Sequence, residues 1–222
     1  MHWTDEGYLI SKRNYDENSI IIEAFTLDHG KCAGIIYGGS SRKKKRFFQI
    51  GNKIFLNWKS KSENRIGYFD TELLEAISPL YFDDKKKTTC ILSATSILKI
   101  LLPERQVNKK IYLSFQKLMN FLKFDDWIKL YIYWELSLVK ELGFDINIFN
   151  KNNSNLKSNS IVLNGKSFKI PLLFIDKKKL YFSKSDIKNA LLFNRSILLE
   201  NFINPNNLRI PYSRNMLERY YS

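Results

Sequence analysis

The hydrophobic period of this chain changes at Pro79, and that change limits what each part can fold into. Ahead of it, apolar residues alternate or run β-branched in short stretches between turn residues. Tyr8-Leu9-Ile10 leads to a polar corner, Asn14-Tyr15-Asp16-Glu17-Asn18. Ser19 to Leu27 is a β-branched run, and Asp28-His29-Gly30-Lys31 reads as a turn that needs its glycine. Cys32 to Tyr37 returns, Ile54 to Lys59 alternates Ile54, Leu56 and Trp58 with Phe55 and Asn57, and Ile66 to Leu74 makes a last strand. About four to six short strands on tight turns predict a small closed barrel, with the OB type leading. Its expected span is residues 1–78.

After Pro79 the spacing becomes helical. Ile91, Ala94, Leu98 and Leu101 share one face, ended by Pro103, and Ile111, Phe115, Leu118 and Leu122 share a second. Asp125 or Asp126 is placed to cap a third helix carrying Trp127, Tyr131, Trp134, Leu138 and Leu142, with Gly143 at its end. Aromatics at this spacing belong to a core. Residues 145–182 are irregular and Asn-rich, with one hairpin signal, Ser160 to Ile170 about Asn164-Gly165. A helix from about Ser185 to Ile203, capped by Ser183 or Ser185, and a short tail, Ser213 to Tyr221, complete the chain. The expected fold class is α+β: an OB barrel, then an α-helical domain over residues 79–222 with a small irregular hairpin insertion.

Charge is the second constraint. Between His29 and Ser62 there are nine Lys or Arg and no Asp or Glu, and five form one block, Arg42-Lys43-Lys44-Lys45-Arg46. Gly38-Gly39-Ser40-Ser41 precedes the block and Phe47-Phe48-Gln49 follows it. Adjacent like charges repel, so this loop is more comfortable against a polyanion than alone in water. Phe47, Phe48 and Trp58 are either core residues or faces on which bases stack. Residues 1–80 sum to only +2, against +3 for residues 81–150 and +9 for 151–222. The first stretch is therefore nearly neutral yet segregated, which separates a binding face from a generally basic protein. The net charge of +14 also reflects 27 Lys beside 21 Asn, as AT-rich codons would give, so the nine Arg carry more weight.

Signals for chemistry are poor. Cys32 and Cys90 lie far apart and give neither a disulfide framework nor a zinc pair. Gly38-Gly39-Ser40-Ser41 lacks the spacing and the Lys of a phosphate loop. His2 and His29 show no pattern of carboxylate or Cys partners, and His29 reads as a solvated turn residue. Asp83 and Asp84, like Asp125 and Asp126, have their ordinary place at a helix N-terminus. No enzymatic activity, metal or cofactor is expected. Met1 to Gly7 has no signal-peptide pattern and no apolar run approaches a membrane span, so a cytoplasmic protein without membrane contact is expected.

The order of these parts resembles RecO, a family of bacterial recombination mediators. The resemblance rests on Trp3-Thr4-Asp5-Glu6-Gly7, the Arg13-x-Tyr15-x-Glu17-x-Ser19 corner, Thr26 with Gly30, and Gly38 with Arg42 through Gln49. Leu101-Leu102-Pro103-Glu104-Arg105 and Trp134 through Phe144 are similar to the family's helical domain, especially its alphaproteobacterial form, and Ala190 to Phe202 to its closing helix. The resemblance implies a barrel on a helical domain, no turnover, and a nucleoid-associated protein. It implies binding of single- and double-stranded DNA and annealing of complementary strands. It also implies partnership with RecR, contact with the acidic, Phe-ended tail of single-stranded-DNA-binding protein, and help in loading RecA. Candidate DNA contacts are Arg13, Lys31, Arg42, Lys43, Lys44, Lys45, Arg46, Lys53, Lys59 and Lys61. Candidates for the rim of an apolar socket for the acidic tail are Arg105, Lys109, Lys110, Lys140 and Arg195. Several family members hold zinc on four Cys between the third long helix and the closing helix. Here that stretch has no Cys and no His, so a zinc-free member is implied, stabilised instead by packing of Phe168, Leu172, Leu173 and Phe174. The rival readings are an OB-fold RNA-binding or ribosome-associated protein, and a nuclease using Asp125, Asp126 or Glu135.

Overall fold

The computed structural model describes residues 1–41, 46–62, 66–144, 160–163, 165–176 and 181–222. Five strands come first: β1 (His2–Asn14), β2 (Ser19–Thr26), β3 (Gly30–Tyr37), β4 (Lys53–Lys59) and β5 (Gly67–Glu75). They close into a barrel in the order β1-β2-β3-β5-β4, with β3 and β5 parallel and the other pairs antiparallel. This is the predicted OB-like barrel. Closure depends on two small residues facing each other, Gly34 on β3 and Gly67 on β5. A Cβ on Gly67 would lie 2.3 Å from the Trp58 ring, and one on Gly34 2.4 Å from Phe69. A side chain at either position would hold the seam open. Leu9, Ile22, Ala24, Ile36, Ile54, Leu56, Trp58 and Phe69 fill the interior.

A 3₁₀ turn, Ser78–Tyr81, leads into α1 (Lys85–Leu101), α2 (Lys109–Phe121) and α3 (Trp127–Glu141). Asp84 caps α1 as expected, accepting from the Lys86 and Lys87 N–H groups, and Asn108 caps α2 through the Ile111 N–H. Asp126 stands at the N-cap of α3 without a side-chain bond to the backbone; its carboxylate pairs with Lys129 at 3.1 Å instead. The hairpin follows as β6 (Ser160–Leu163) and β7 (Lys166–Lys169), then one turn of helix, α4 (Leu172–Ile175). Helix α5 (Lys184–Leu198) begins with a full capping box at Ser183 and Asp186, runs into a π-helical turn, Leu199–Ile203, and precedes α6 (Tyr212–Arg219). Residues 145–159, 164 and 177–180 of the irregular stretch lie outside the described residues. Phe168 is partly buried and Leu173 and Phe174 are buried against the helical core, whereas Leu172 is 51% exposed.

The helical core does not stop at the domain boundary. Tyr8, Ile10 and Phe25 point out of the barrel and pack into it, with Phe115 edge-on to Tyr8 at 5.1 Å. Burying a side chain such as Ile10 or Phe25 contributes about 1.5–3 kcal/mol. The barrel therefore has its own interior cluster, and its outer face is part of the helical core.

Candidate nucleic-acid interface

Strand register builds the first part of the site. Arg13 on β1 pairs with Ile21 on β2, Ile21 with Ile35 on β3, and Ile35 with Tyr68 on β5. Tyr68 in turn pairs with Lys59 on β4, and Lys59 with His2. Paired residues share a face of the sheet, and the neighbouring Ile20, Ile22 and Ile36 point inward. The row therefore lies on the outward face of the barrel, with Tyr68 beside Lys59 and the buried Ile35 and Ile21 between Tyr68 and Arg13. Tyr37, two residues on from Ile35, is 62% exposed and Tyr68 is 42% exposed, and their rings lie 6.3 Å apart. Of the three aromatics read as either core or stacking faces, two take the core reading. Phe48 and Trp58 are buried in the barrel core, and only Phe47 is exposed. The signal for Tyr37 and Tyr68 was the alternation of β3 and β5, which aims them outward once the neighbouring Ile36 and Phe69 are assigned inward.

The basic loop leaves β3 immediately after Tyr37, and both its ends are fastened. Ser40 donates through its N–H to Asn18 O and through Oγ to Glu17 O, tying the exit to the β1–β2 corner. On the return, Lys12 Nζ donates to Phe48 O at 2.6 Å. Asn52 is fully buried there; its Nδ2 donates to Phe47 O, and its Oδ1 accepts from the Ser78 N–H. Arg46 is exposed, while Arg42, Lys43, Lys44 and Lys45 lie outside the described residues. The loop thus springs from a rigid base beside the tyrosine pair.

Another part of the barrel wall has the opposite character. Its rows are Thr4, Asn57 and Asp70; then Glu6, Phe55 and Glu72; then Tyr8, Lys53 and Glu75. Lys53 sits among these carboxylates and is paired with Glu6 at 2.6 Å. A polyanion is repelled from such a face. Of the expected DNA contacts, Arg13 and Lys59 lie in the aromatic row, Lys61 is exposed in the β4–β5 turn, and Lys53 is on the acidic wall. Lys31 is buried at the junction, its Nζ donating to Lys99 O. Burial lowers the affinity of its amine for the proton, with Glu23 and Glu104 acting the other way. Its charge therefore serves the junction rather than the solvent.

At that junction the segment after α1 runs alongside the start of β3. Lys31 and Glu104 form a β-bridge, and the Arg105 N–H donates to Lys31 O at 2.8 Å. Gly30 permits the approach, because a Cβ there would come within 2.2 Å of Gln106 O, and its φ of +69° suits glycine. His29 is not a solvated turn residue. It stacks on Trp3 at 4.0 Å, and its Nδ1 lies 2.8 Å from the Asp5 carboxylate, which also accepts from the Asp28 N–H. Trp3 stacks in turn on Trp58, and the Arg105 guanidinium lies 5.6 Å from the Trp58 ring. Nothing in the spacing of Trp3, Asp5, His29 and Arg105 announced this cluster; barrel closure assembles it.

The expected tail-binding cations are dispersed among different partners. Arg105 faces Trp58, Lys109 pairs with Asp28 at 2.7 Å, and Lys110 with Glu141 at 3.7 Å. Arg195 donates to Asn215 and lies 3.5 Å from Glu218, while Lys140 is exposed near the end of α3. Glu135, a residue of the nuclease reading, is buried and held by Arg214 at 2.5 and 3.1 Å. Tyr131 and Asn194 also donate to that carboxylate, and Ser93 bonds Tyr131 OH at 2.7 Å. Burial is the largest influence and works against the Arg214 charge, but Glu135, Tyr131 and Glu218 together outweigh it and keep the guanidinium protonated. This network joins α1, α3, α5 and α6 and leaves Glu135 no role at the surface. Among the described residues no three His, Cys, Asp or Glu come together as metal ligands would. A structural zinc site takes four Cys or His donors, and this chain's two Cys, Cys32 and Cys90, are buried in the barrel core and the helical core respectively.

The architecture is thus an OB-like barrel whose outer face packs against a helical domain. Residues 1–77 match the family model described as Recombination protein O N terminal, and residues 83–167 match Recombination protein O C terminal. The chain belongs to the RecO family. It is 32% identical over 145 residues to the DNA repair protein RecO of Roseobacter denitrificans, a match covering 65% of this chain and 60% of that protein. It is 34% identical over 148 residues to its counterpart from Cereibacter sphaeroides, covering 67% and 62%, and 35% identical over 162 residues to that of Ehrlichia chaffeensis, covering 70% and 66%. The matched region thus spans about 60–66% of the length of these relatives. Among the described residues no helix is long and apolar enough to cross a membrane.

Proposed function

We propose that this protein is a DNA repair and recombination mediator that binds without chemical turnover. Single-stranded DNA lies along the row from Arg13 to Lys59, its bases on Tyr37 and Tyr68 and its phosphates on the row's cations and the basic loop. The observation that carries the reading is the exposed Tyr37–Tyr68 pair at the start of the basic loop, with Tyr68 in the row that runs from Arg13 to Lys59. Stacking is indifferent to base identity, and so are phosphate contacts. That indifference is what annealing of arbitrary complementary strands requires, together with a cationic surface that lets two strands approach. In this reading the protein also binds duplex DNA, works with RecR, takes the acidic tail of single-stranded-DNA-binding protein on its helical domain, and helps RecA onto coated gaps.

The test is a titration of Tyr37→Ala/Tyr68→Ala with labelled single-stranded DNA, alongside an annealing assay. The double variant is expected to lose at least tenfold in affinity, since each stacked base is worth about 1–3 kcal/mol. A folded double variant with wild-type affinity and annealing rate would remove the stacking site. Preference for RNA in a competition would favour the RNA-binding alternative.

A further inference from the structure

A cavity of about 570 Å³ opens beside the β3–β5 seam, between the barrel and the segment that follows α1. Trp3, Trp58, Cys32, Ala33 and Val107 supply much of its apolar wall, and His29 and Arg105 are among its polar lining groups. The volume is within the range of small-molecule sites, and its wall contains the ring pile His29, Trp3 and Trp58. A flat aromatic ligand suits such a wall, and Arg105 adds the cation that an attached anion needs. The Asp28 carboxylate also lines the cavity, but Lys109 offsets it at 2.7 Å, and Asp5 is occupied by His29 and the Asp28 N–H.

The cavity is continuous with the row described above. Ala33 lies two residues from Ile35 on the same outward face of β3, and His2, another lining residue, pairs with Lys59. A strand lying across Tyr68 and Lys59 therefore passes the cavity mouth.

We propose that the cavity accepts one unstacked nucleobase of the bound strand, with the adjoining phosphate on Arg105. The inference rests on the DNA-binding reading and adds a specific base socket to it. Insertion fixes the strand's position on the barrel, while Tyr37 and Tyr68 hold its neighbours loosely.

Two variants test it. Val107→Trp fills the cavity from a position that is 45% exposed and outside any helix, so folding is preserved. Arg105→Asn removes the cation with a residue at home in the left-handed backbone found there, φ +58°. Affinities are measured at one fixed salt concentration for an oligothymidylate and for an abasic strand of the same length. The wild type is expected to prefer the strand with bases, and Val107→Trp to lower that preference about tenfold, which is 1.4 kcal/mol. Arg105→Asn is expected to weaken both strands and to reduce the log–log salt slope by about 0.7, one contact on a single strand. If the wild type binds DNA but Val107→Trp keeps its full preference for bases, the socket is overturned and the DNA-binding reading survives. If the wild type binds neither strand, that reading falls and the socket with it.

Discussion

At the scale of single residues, the most heavily committed group is the carboxylate of Glu135. It accepts from Arg214, Tyr131 and Asn194, and both it and Arg214 are almost fully buried. Removing one member of a buried pair strands the other charge, whereas replacing both by apolar groups does not. Glu135→Gln is therefore expected to destabilise the fold by about 3–5 kcal/mol, read by urea denaturation. The double variant Glu135→Leu/Arg214→Met should recover much of that loss; equal losses in the single and double variants would show that the ion pair is not what matters. The rival nuclease reading could name Glu135 because an exposed Glu at a helix position cannot be told from a buried one until its partner is known. That partner, Arg214, is 79 residues away. Cys32 shows the same dependence on surroundings. Burial pushes its thiol up to about 12, the nearby Arg105 opposing, and its S–H donates to His29 O.

At the scale of elements, the basic loop is the part whose behaviour was most fully written in sequence, and its anchorage was not. Five adjacent charges define the loop, but Asn52, Ser40 and Lys12 hold its ends, each through a bond to residues five to 36 positions away. Replacing Arg42, Lys43, Lys44, Lys45 and Arg46 by Ala is expected to leave the barrel folded and to slow annealing. If about three of the five touch phosphates, the salt slope of single-strand binding falls by roughly two, at about 0.7 per contact. An unchanged slope and annealing rate in a folded variant would mean that the loop does not meet DNA. Helices were read well where the apolar stripe was long: α1, α2 and α3 carry Ile91, Ile111, Phe115, Trp127 and Tyr131 on buried faces as their spacing required. The π-helical turn Leu199–Ile203 at the end of α5 was not legible, because a helical stripe looks the same whether one residue more or fewer completes a turn.

At the scale of the whole molecule, the packing of the barrel's outer face into the helical core has a thermodynamic consequence. Tyr8, Ile10 and Phe25 belong to the barrel by sequence and to the helical core by packing. Barrel and helices are expected to unfold together, so near-UV signals from Trp58 in the barrel and Trp134 in α3 should follow one coincident transition. Two separated transitions would show that the junction is only a docking surface. Zinc is expected to be absent from protein purified without chelator, at less than about one-tenth equivalent, since a structural site binds tightly. One equivalent by elemental analysis would overturn this. With the four-Cys set missing, α4 holds on by packing, Phe174 lying 5.5 Å from the Tyr133 ring and 5.7 Å from that of Phe193.

Alternation, helical period, turn glycines and charge segregation are local, and by themselves they determined the barrel, the helices, the hairpin and the basic loop. They act over a few residues, so the sequence states them directly. Tertiary structure alone decided which outward residues stand together. Register placed Arg13, Tyr68 and Lys59 in one row, put Lys53 among carboxylates, and aimed Lys31 into the junction with α1. Barrel closure stacked His29 on Trp3 and brought Arg105 to Trp58 from 47 positions away in the chain. Contacts of that range depend on how strands pair and how two elements pack, and each of those is settled by the summed burial of the whole chain rather than by any one segment of it.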